Sequence, residues 1–173
     1  MAEDVADKPL LETRHRGLVT FAIMAVSLCQ FFDATIANVA LPHMQASTSA
    51  SREQIGWVLT SYIVMAAIFT PLSGWLASRF GKKRILVLSV GGFTLASALC
   101  GLAADFGQLV AFRLLQGMLG AALLPLTQAT MIDINPPERH GPAMAIWGMG
   151  AVLGPILGPV LGGLITEYLN WRW

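Results

Sequence analysis

GAVLGPILGPVLGG, residues 150–163, carries a glycine at every fourth position: Gly150, Gly154, Gly158 and Gly162, with Gly163 following. On a helix this spacing stacks the glycines into one ridge free of side chains. Pro155 and Pro159 interrupt it, and each would cost a water-exposed helix about 3 kcal/mol. No charged residue occurs from Pro142 to Thr166. A membrane helix packed very closely on a neighbour accounts for all three features.

The rest of the chain agrees with that reading. Of its 173 residues, 55% are apolar and 12% charged, and the mean hydropathy is +0.63. A soluble domain carries about twice that share of charge. The expected fold class is therefore all-α, a polytopic transmembrane helix bundle. Spans are expected at about 18–41, 55–77, 85–104, 106–132 and 142–168, after a polar tail at 1–17. Each can cross about 30 Å of hydrocarbon at about 1.5 Å per residue. The first span is too long for a secretory signal, holds Asp33, and lacks a small-residue cleavage site before Pro42, where it is expected to stop. Cys29 and Cys100 lie in apolar stretches and read as buried residues rather than a disulfide or a metal site. His43 and His140 sit in loops without ligand partners. No catalytic triad, phosphate-cradling loop or nucleic-acid patch is present, so the chain is read as neither an enzyme nor a nucleic-acid binder.

Basic residues set the expected orientation. Lys8, Arg14, Arg16, Arg79, Lys82, Lys83, Arg84 and Arg139 fall on one side, and only Arg52 and Arg172 on the other. That asymmetry puts the amino terminus and the 78–84 and 133–141 loops in the cytoplasm. Trp171-Arg172-Trp173 has the look of an interface preceding another helix, and the glycine ridge has no evident partner among the other spans. The sequence reads as the amino-terminal part of something longer.

Two charges lie inside spans, at no less than about 2.5 kcal/mol each on insertion scales. Asp33 is about 12 Å from the outer end of the first span, and Arg113 about 10 Å from the outer end of the fourth. At matching depth they can pair, which lowers the cost for both. Each belongs to a polar stripe. Gln30, Asp33 and Asn38 share an arc of about 140° on the first span; Arg113, Gln116, Gly117, Gly120, Thr127 and Gln128 share about 120° on the fourth. A helix lining a ligand-filled cavity has this pattern. A structural ion pair without a transport role is the alternative. The loop from Gly74 through Ser78, Arg79, Gly81, Lys82 and Lys83 to Arg84 carries four positive charges with glycines at both ends. It is either purely topogenic or functional, and spacing alone does not separate the two. Trp57, Trp75, Tyr62 and Trp147 are read as interfacial anchors or packing.

Four motifs, in order, resemble the major facilitator superfamily and, within it, the fourteen-helix drug:proton antiporters of the EmrB/QacA type. Asp33 to Pro42 resembles the helix-one signature. Gly74 to Leu86 resembles the shared loop signature, with Ser78 where that loop has an acid. Arg113 to Ala121 resembles the helix-four signature, shifted by one at its last glycine. Gly150 to Gly163 resembles the antiporter signature of helix five, including Pro155, Pro159 and Gly163.

The resemblance implies the first five helices of a six-helix amino-terminal half, lining a central cavity with helices one, two, four and five. It implies that helix five packs on helix eight through its glycines. It implies export of amphiphilic or cationic drug-like compounds across the cytoplasmic (inner) membrane in exchange for protons. No cofactor is needed, since the proton gradient supplies the energy. Asp33 would carry the proton and Arg113 would govern its exchange; Arg79, Gly81, Lys82 and Lys83 would form a cytoplasmic latch. Ser78 weakens that latch or shifts its acid elsewhere, for instance to Glu138. A periplasmic adaptor and an outer-membrane channel are compatible partners. A narrow-substrate metabolite or siderophore transporter is the alternative in the same fold. A truncated, non-transporting assembly or regulatory membrane protein is the alternative outside it.

Overall fold

The computed structural model describes residues 15–169 and 171–172, so Lys8, Arg14 and Trp173 lie outside it. All regular structure among these residues is helical: α1 Arg16–Thr48, α2 Arg52–Ile55, α3 Trp57–Phe80, α4 Lys82–Leu102, α5 Phe106–Gly120, α6 Leu123–Asp133 and α7 His140–Tyr168. A 3₁₀ turn, Pro137–Arg139, precedes α7. Five segments are long and apolar enough to cross a membrane: Arg16–Thr48, Arg52–Phe80, Lys82–Leu102, Phe106–Asp133 and Pro137–Tyr168.

Span ends depart from the sequence expectation where proline or glycine acts. Pro42 does not stop the first helix, which runs on to Thr48. Running through Pro42 loses one hydrogen bond, whereas stopping there would place the four unpaired carbonyls of the helix end nearer the apolar part of the span. The helix ends instead at Ser49, in the left-handed region at φ 53°. Ser51 then opens α2 with a capping box, its hydroxyl accepting from Gln54 N and its own N–H donating to Gln54 Oε1.

The expected loop from Gly74 to Arg84 is not a loop. Ser78 and Arg79 lie in α3, Lys82 and Lys83 in α4, and Gly81 alone joins the two helices. Its φ of 92° is a conformation that side chains disfavour, so glycine is needed there. Gly74 is exposed and nothing approaches where its Cβ would stand, so it provides no close helix contact.

The fourth span is broken at Ala121 and Ala122, between α5 and α6. Pro125 explains the break: its ring excludes the carbonyl four residues earlier, that of Ala121. Neighbouring helices satisfy the freed acceptors. Gln30 of α1 donates to the Gly120 carbonyl at 3.2 Å, and Thr70 of α3 to that of Ala121 at 3.4 Å.

The glycine ridge has its partner inside this chain. α7 lies along α1, with Gly150 against Leu28 and Met24, Gly154 against Phe31, Gly158 against Thr35 and Gly162 against Ile36. All four glycines thus meet side chains of α1. Pro155 and Pro159 are exposed, beside the ridge on a continuous helix, and nothing lies where a Gly163 Cβ would stand. Trp171 packs on a hydrophobic cluster with Leu41, Phe106 and Phe112, while Arg172 donates to the carbonyls of Gly101 and Ala103 at the end of α4.

These contacts separate two glycines by their surroundings. Gly158→Ala would drive a methyl into Thr35, and is expected to lower stability by about 1–3 kcal/mol. Gly163→Ala, in open space, should stay within about 0.5 kcal/mol of wild type. Thermal melting of both variants in detergent measures the contrast.

Candidate functional site

The Asp33 and Arg113 side chains meet between α1 and α5. Arg113 Nη1 donates to Asp33 Oδ2 at 2.9 Å, and the two side chains are 7% and 14% exposed for Arg113 and Asp33. Gln116, one turn further along α5, donates from Nε2 to Asp33 Oδ1 at 2.9 Å and accepts from Arg113 Nη1 at 3.1 Å. Three side chains thus close a ring in which both carboxylate oxygens are held. Charge-assisted bonds of this kind are the strong ones, and burial increases their strength further. Cys100 of α4 adds a weak thiol contact to Gln116 Oε1 at 3.7 Å.

Beside this ring lies a cavity of about 370 Å³, walled by α1, α4, α5 and the Trp171–Arg172 turn. Asp33 and Arg113 reach its wall, together with Thr94, Ser97, Phe32 and Phe93. The other stripe residues do not. Gln116 is fully buried in the ring. Gly117 faces the Tyr62 backbone, and Gly120 faces the Phe93 ring. Gln30 is buried and reaches the Tyr62 hydroxyl at 3.4 Å, besides the Gly120 carbonyl. Asn38 is exposed and bonds only its own helix, at the Ala34 carbonyl. Gln128 is half-buried without a side-chain hydrogen bond among the described residues. Among the described residues, Gln30, Gln116, Gly117 and Gly120 are thus taken up in contacts with neighbouring helices, while Asn38 is exposed and Gln128 half-buried.

Thr127 belongs to a second polar junction. Trp147 Nε1 donates to Ser27 Oγ at 3.0 Å and Thr127 Oγ1 at 3.3 Å, and Ser27 donates to Thr127 at 3.3 Å. All three are buried, tying α1, α6 and α7 together. Trp147 is thus an interior residue, not an interfacial anchor; Tyr62 likewise turns inward to Gln30. Tryptophan seeks a partner for its N–H when buried, and two small hydroxyls on spans one and four were the available signal.

Around the α3–α4 turn, Lys82 Nζ lies 2.5 Å from Asp133 Oδ2, at the end of α6. Asp133 was missed in the sequence reading; Glu138, considered there, is exposed and makes no ion pair among the described residues. Ser78 bonds back to the Trp75 carbonyl, and Arg79 stacks over Trp75 and Phe80. Lys83 and Lys82 border a mostly apolar void of about 540 Å³ between α1 and α4, which Thr127 and Asp133 also touch.

Comparison with known proteins gives one family. The profile described as Major Facilitator Superfamily matches residues 23–173. The multidrug export protein EmrB of Haemophilus influenzae is 42% identical over 156 residues, covering 90% of this chain and 31% of that protein. The fatty acid resistance protein FarB of Neisseria gonorrhoeae is 38% identical over 167 residues, covering 96% and 33%. This chain therefore spans about a third of the length of the curated relatives it matches. A crystal structure of a bacterial homologue of the human lysosomal transporter Spinster, inward-facing and unoccupied, superposes with a TM-score of 0.78 at 26% identity, over 90% of this chain and 33% of that one.

The ring predicts non-additive mutations. Arg113→Leu leaves Asp33 charged and unpaired, and should cost about 3–5 kcal/mol of stability. Adding Asp33→Asn to it should recover part of that loss, as read by denaturant or thermal unfolding in detergent. Additive losses would mean that the two side chains do not depend on each other.

Proposed function

The chain belongs to the major facilitator superfamily, and from that membership we propose that the complete protein exports amphiphilic or cationic compounds from the cytoplasm in exchange for protons. The supporting observation is the Asp33–Arg113–Gln116 ring, of which Asp33 and Arg113 reach a cavity wall. A carboxylate held only by protein donors, and reached through a cavity, can exchange its partners for a proton or a ligand. A proton arriving from outside neutralises Asp33 and weakens its hold on Arg113, releasing substrate. Loss of that proton to the cytoplasm restores the ring. The membrane potential adds about 2.3 kcal/mol per charge for every 100 mV.

In this reading the protein is a multi-pass inner-membrane protein whose amino terminus and α3–α4 turn face the cytoplasm. The Lys82–Asp133 pair then serves as the ionic part of the cytoplasmic latch, replacing the acid that Ser78 cannot supply. In a two-membrane envelope, an adaptor and an outer-membrane channel would complete the export route. The relatives are named for multidrug export and for fatty acid resistance, so a substrate panel should include cationic dyes and long-chain carboxylates.

Everted vesicles carrying the full-length protein provide the test. Asp33→Asn is expected to abolish proton-coupled efflux, with substrate no longer discharging the pH gradient. Undiminished exchange would reject Asp33 as the proton carrier.

A further inference from the structure

Among the described residues, two buried side-chain polar atoms have no hydrogen-bond partner: Arg113 Nε, a donor, and Gln30 Oε1, an acceptor. Buried polar groups are nearly always paired, so two complementary orphans on the contacting helices α1 and α5 need a reason. Gln30 precedes Asp33 by one helical turn on α1, and both lie against α5. Its amide nitrogen is occupied by Tyr62 and Gly120, while the oxygen is idle. Arg113 meets Asp33 and Gln116 through Nη1 alone. A guanidinium has five N–H donors in a rigid fork, and the Nε–H on its other edge is unused here.

We propose that Gln30 is the second seat of Arg113: a positioning residue whose Oε1 accepts the Nε–H when Asp33 is protonated. This rests on the proton-coupling reading of Asp33 and adds the group that registers the proton. Both Asp33 oxygens already accept an N–H, one from Arg113 and one from Gln116. A proton on either oxygen removes the charge and one acceptor position. The ring then loses its ion pair, and the Arg113–Asp33 bond is weakened to one between a guanidinium and a neutral acid. The guanidinium stays charged and buried; Gln116 Oε1 still accepts from its Nη1, but the Nε–H is left needing a side-chain carbonyl.

The other ionisable groups around Asp33 do not provide one. Arg172, Cys29 and Cys100 share the cavity wall, and Tyr62 faces Gln30 from α3; none carries a carbonyl oxygen on its side chain. Gln30 also holds the Gly120 carbonyl at the α5–α6 break. Drawing Gln30 toward Arg113 therefore acts on the break itself, and carries the state of Asp33 into the lower half of the fourth span.

Hydrogen exchange at Arg113 Nε tests this in the full-length protein, purified in lipid nanodiscs with ¹⁵N-labelled arginine. The Arg113 signal is identified by its loss in Arg113→Lys. Asp33→Asn is the uncharged stand-in for the protonated acid. Exchange at Nε–H is expected to be at least about tenfold slower in Asp33→Asn than in wild type, the scale of one added hydrogen bond to a charged group. Adding Gln30→Leu should abolish that slowing. Equal exchange in wild type and Asp33→Asn, or slowing that survives Gln30→Leu, overturns the proposal. Should Gln30→Leu not fold, Gln30→Glu retains the acceptor and should keep exchange slow in the Asp33→Asn background; fast exchange there is equally fatal. No gradient or substrate enters this measurement, so normal transport by Asp33→Asn would sink the coupling scheme alone, and unchanged exchange this inference alone.

Discussion

A carboxylate and a guanidinium in hydrocarbon tolerate neither separation nor rotation away from each other, and this constraint organises the bundle. Asp33 and Arg113 are 2.9 Å apart with little exposure. Their contact sets both the height and the rotational phase of α1 against α5. Once Asp33 is fixed, the residues one and two turns before it follow on the same face. Gln30 reaches the break in the fourth span, and Ser27 reaches Thr127 and Trp147. A single phase choice thus aligns the ring, the break and the junction along α1.

Close approach of the remaining helices depends on absent side chains. Gly117 admits the α3 backbone at Tyr62, and the 150–162 ridge admits α1 along about three turns of α7. Without a hydrophobic force between helices in lipid, this intimacy is what holds them, supplemented by bonds such as that from Thr35 to the Gly154 carbonyl at 3.4 Å. The opposite face of α7 keeps its exposed Val152, Ile156 and Val160 away from the contact.

The strongest physical penalties were legible in the sequence. A charge within an apolar run is so unfavourable that its partner can be sought by depth alone, which paired Asp33 with Arg113. Five apolar runs likewise announced five spans. Features decided by local geometry were less visible. Pro42 and Pro125 are the same residue type, yet the first is absorbed and the second coincides with a break, because Gln30 and Thr70 stand ready to receive the freed carbonyls. That cooperation appears only when three helices are assembled. The polar stripes were real, but periodicity cannot distinguish a face turned to a cavity from one turned to a neighbour. Asp133 escaped notice because it closes its apolar span instead of interrupting it; only the position of Lys82 makes it a partner.

A link one residue long has mechanical meaning. Gly81 leaves no slack between α3 and α4, so the two cannot tilt independently without opening the turn. Lys82, the first residue beyond it, is tethered to the foot of α6. Any rocking that begins at that end must therefore recruit all three segments together, as a stiff lever. The fourth span, broken near its middle, is the place where such a lever can pivot while its upper arm stays clasped to the acid.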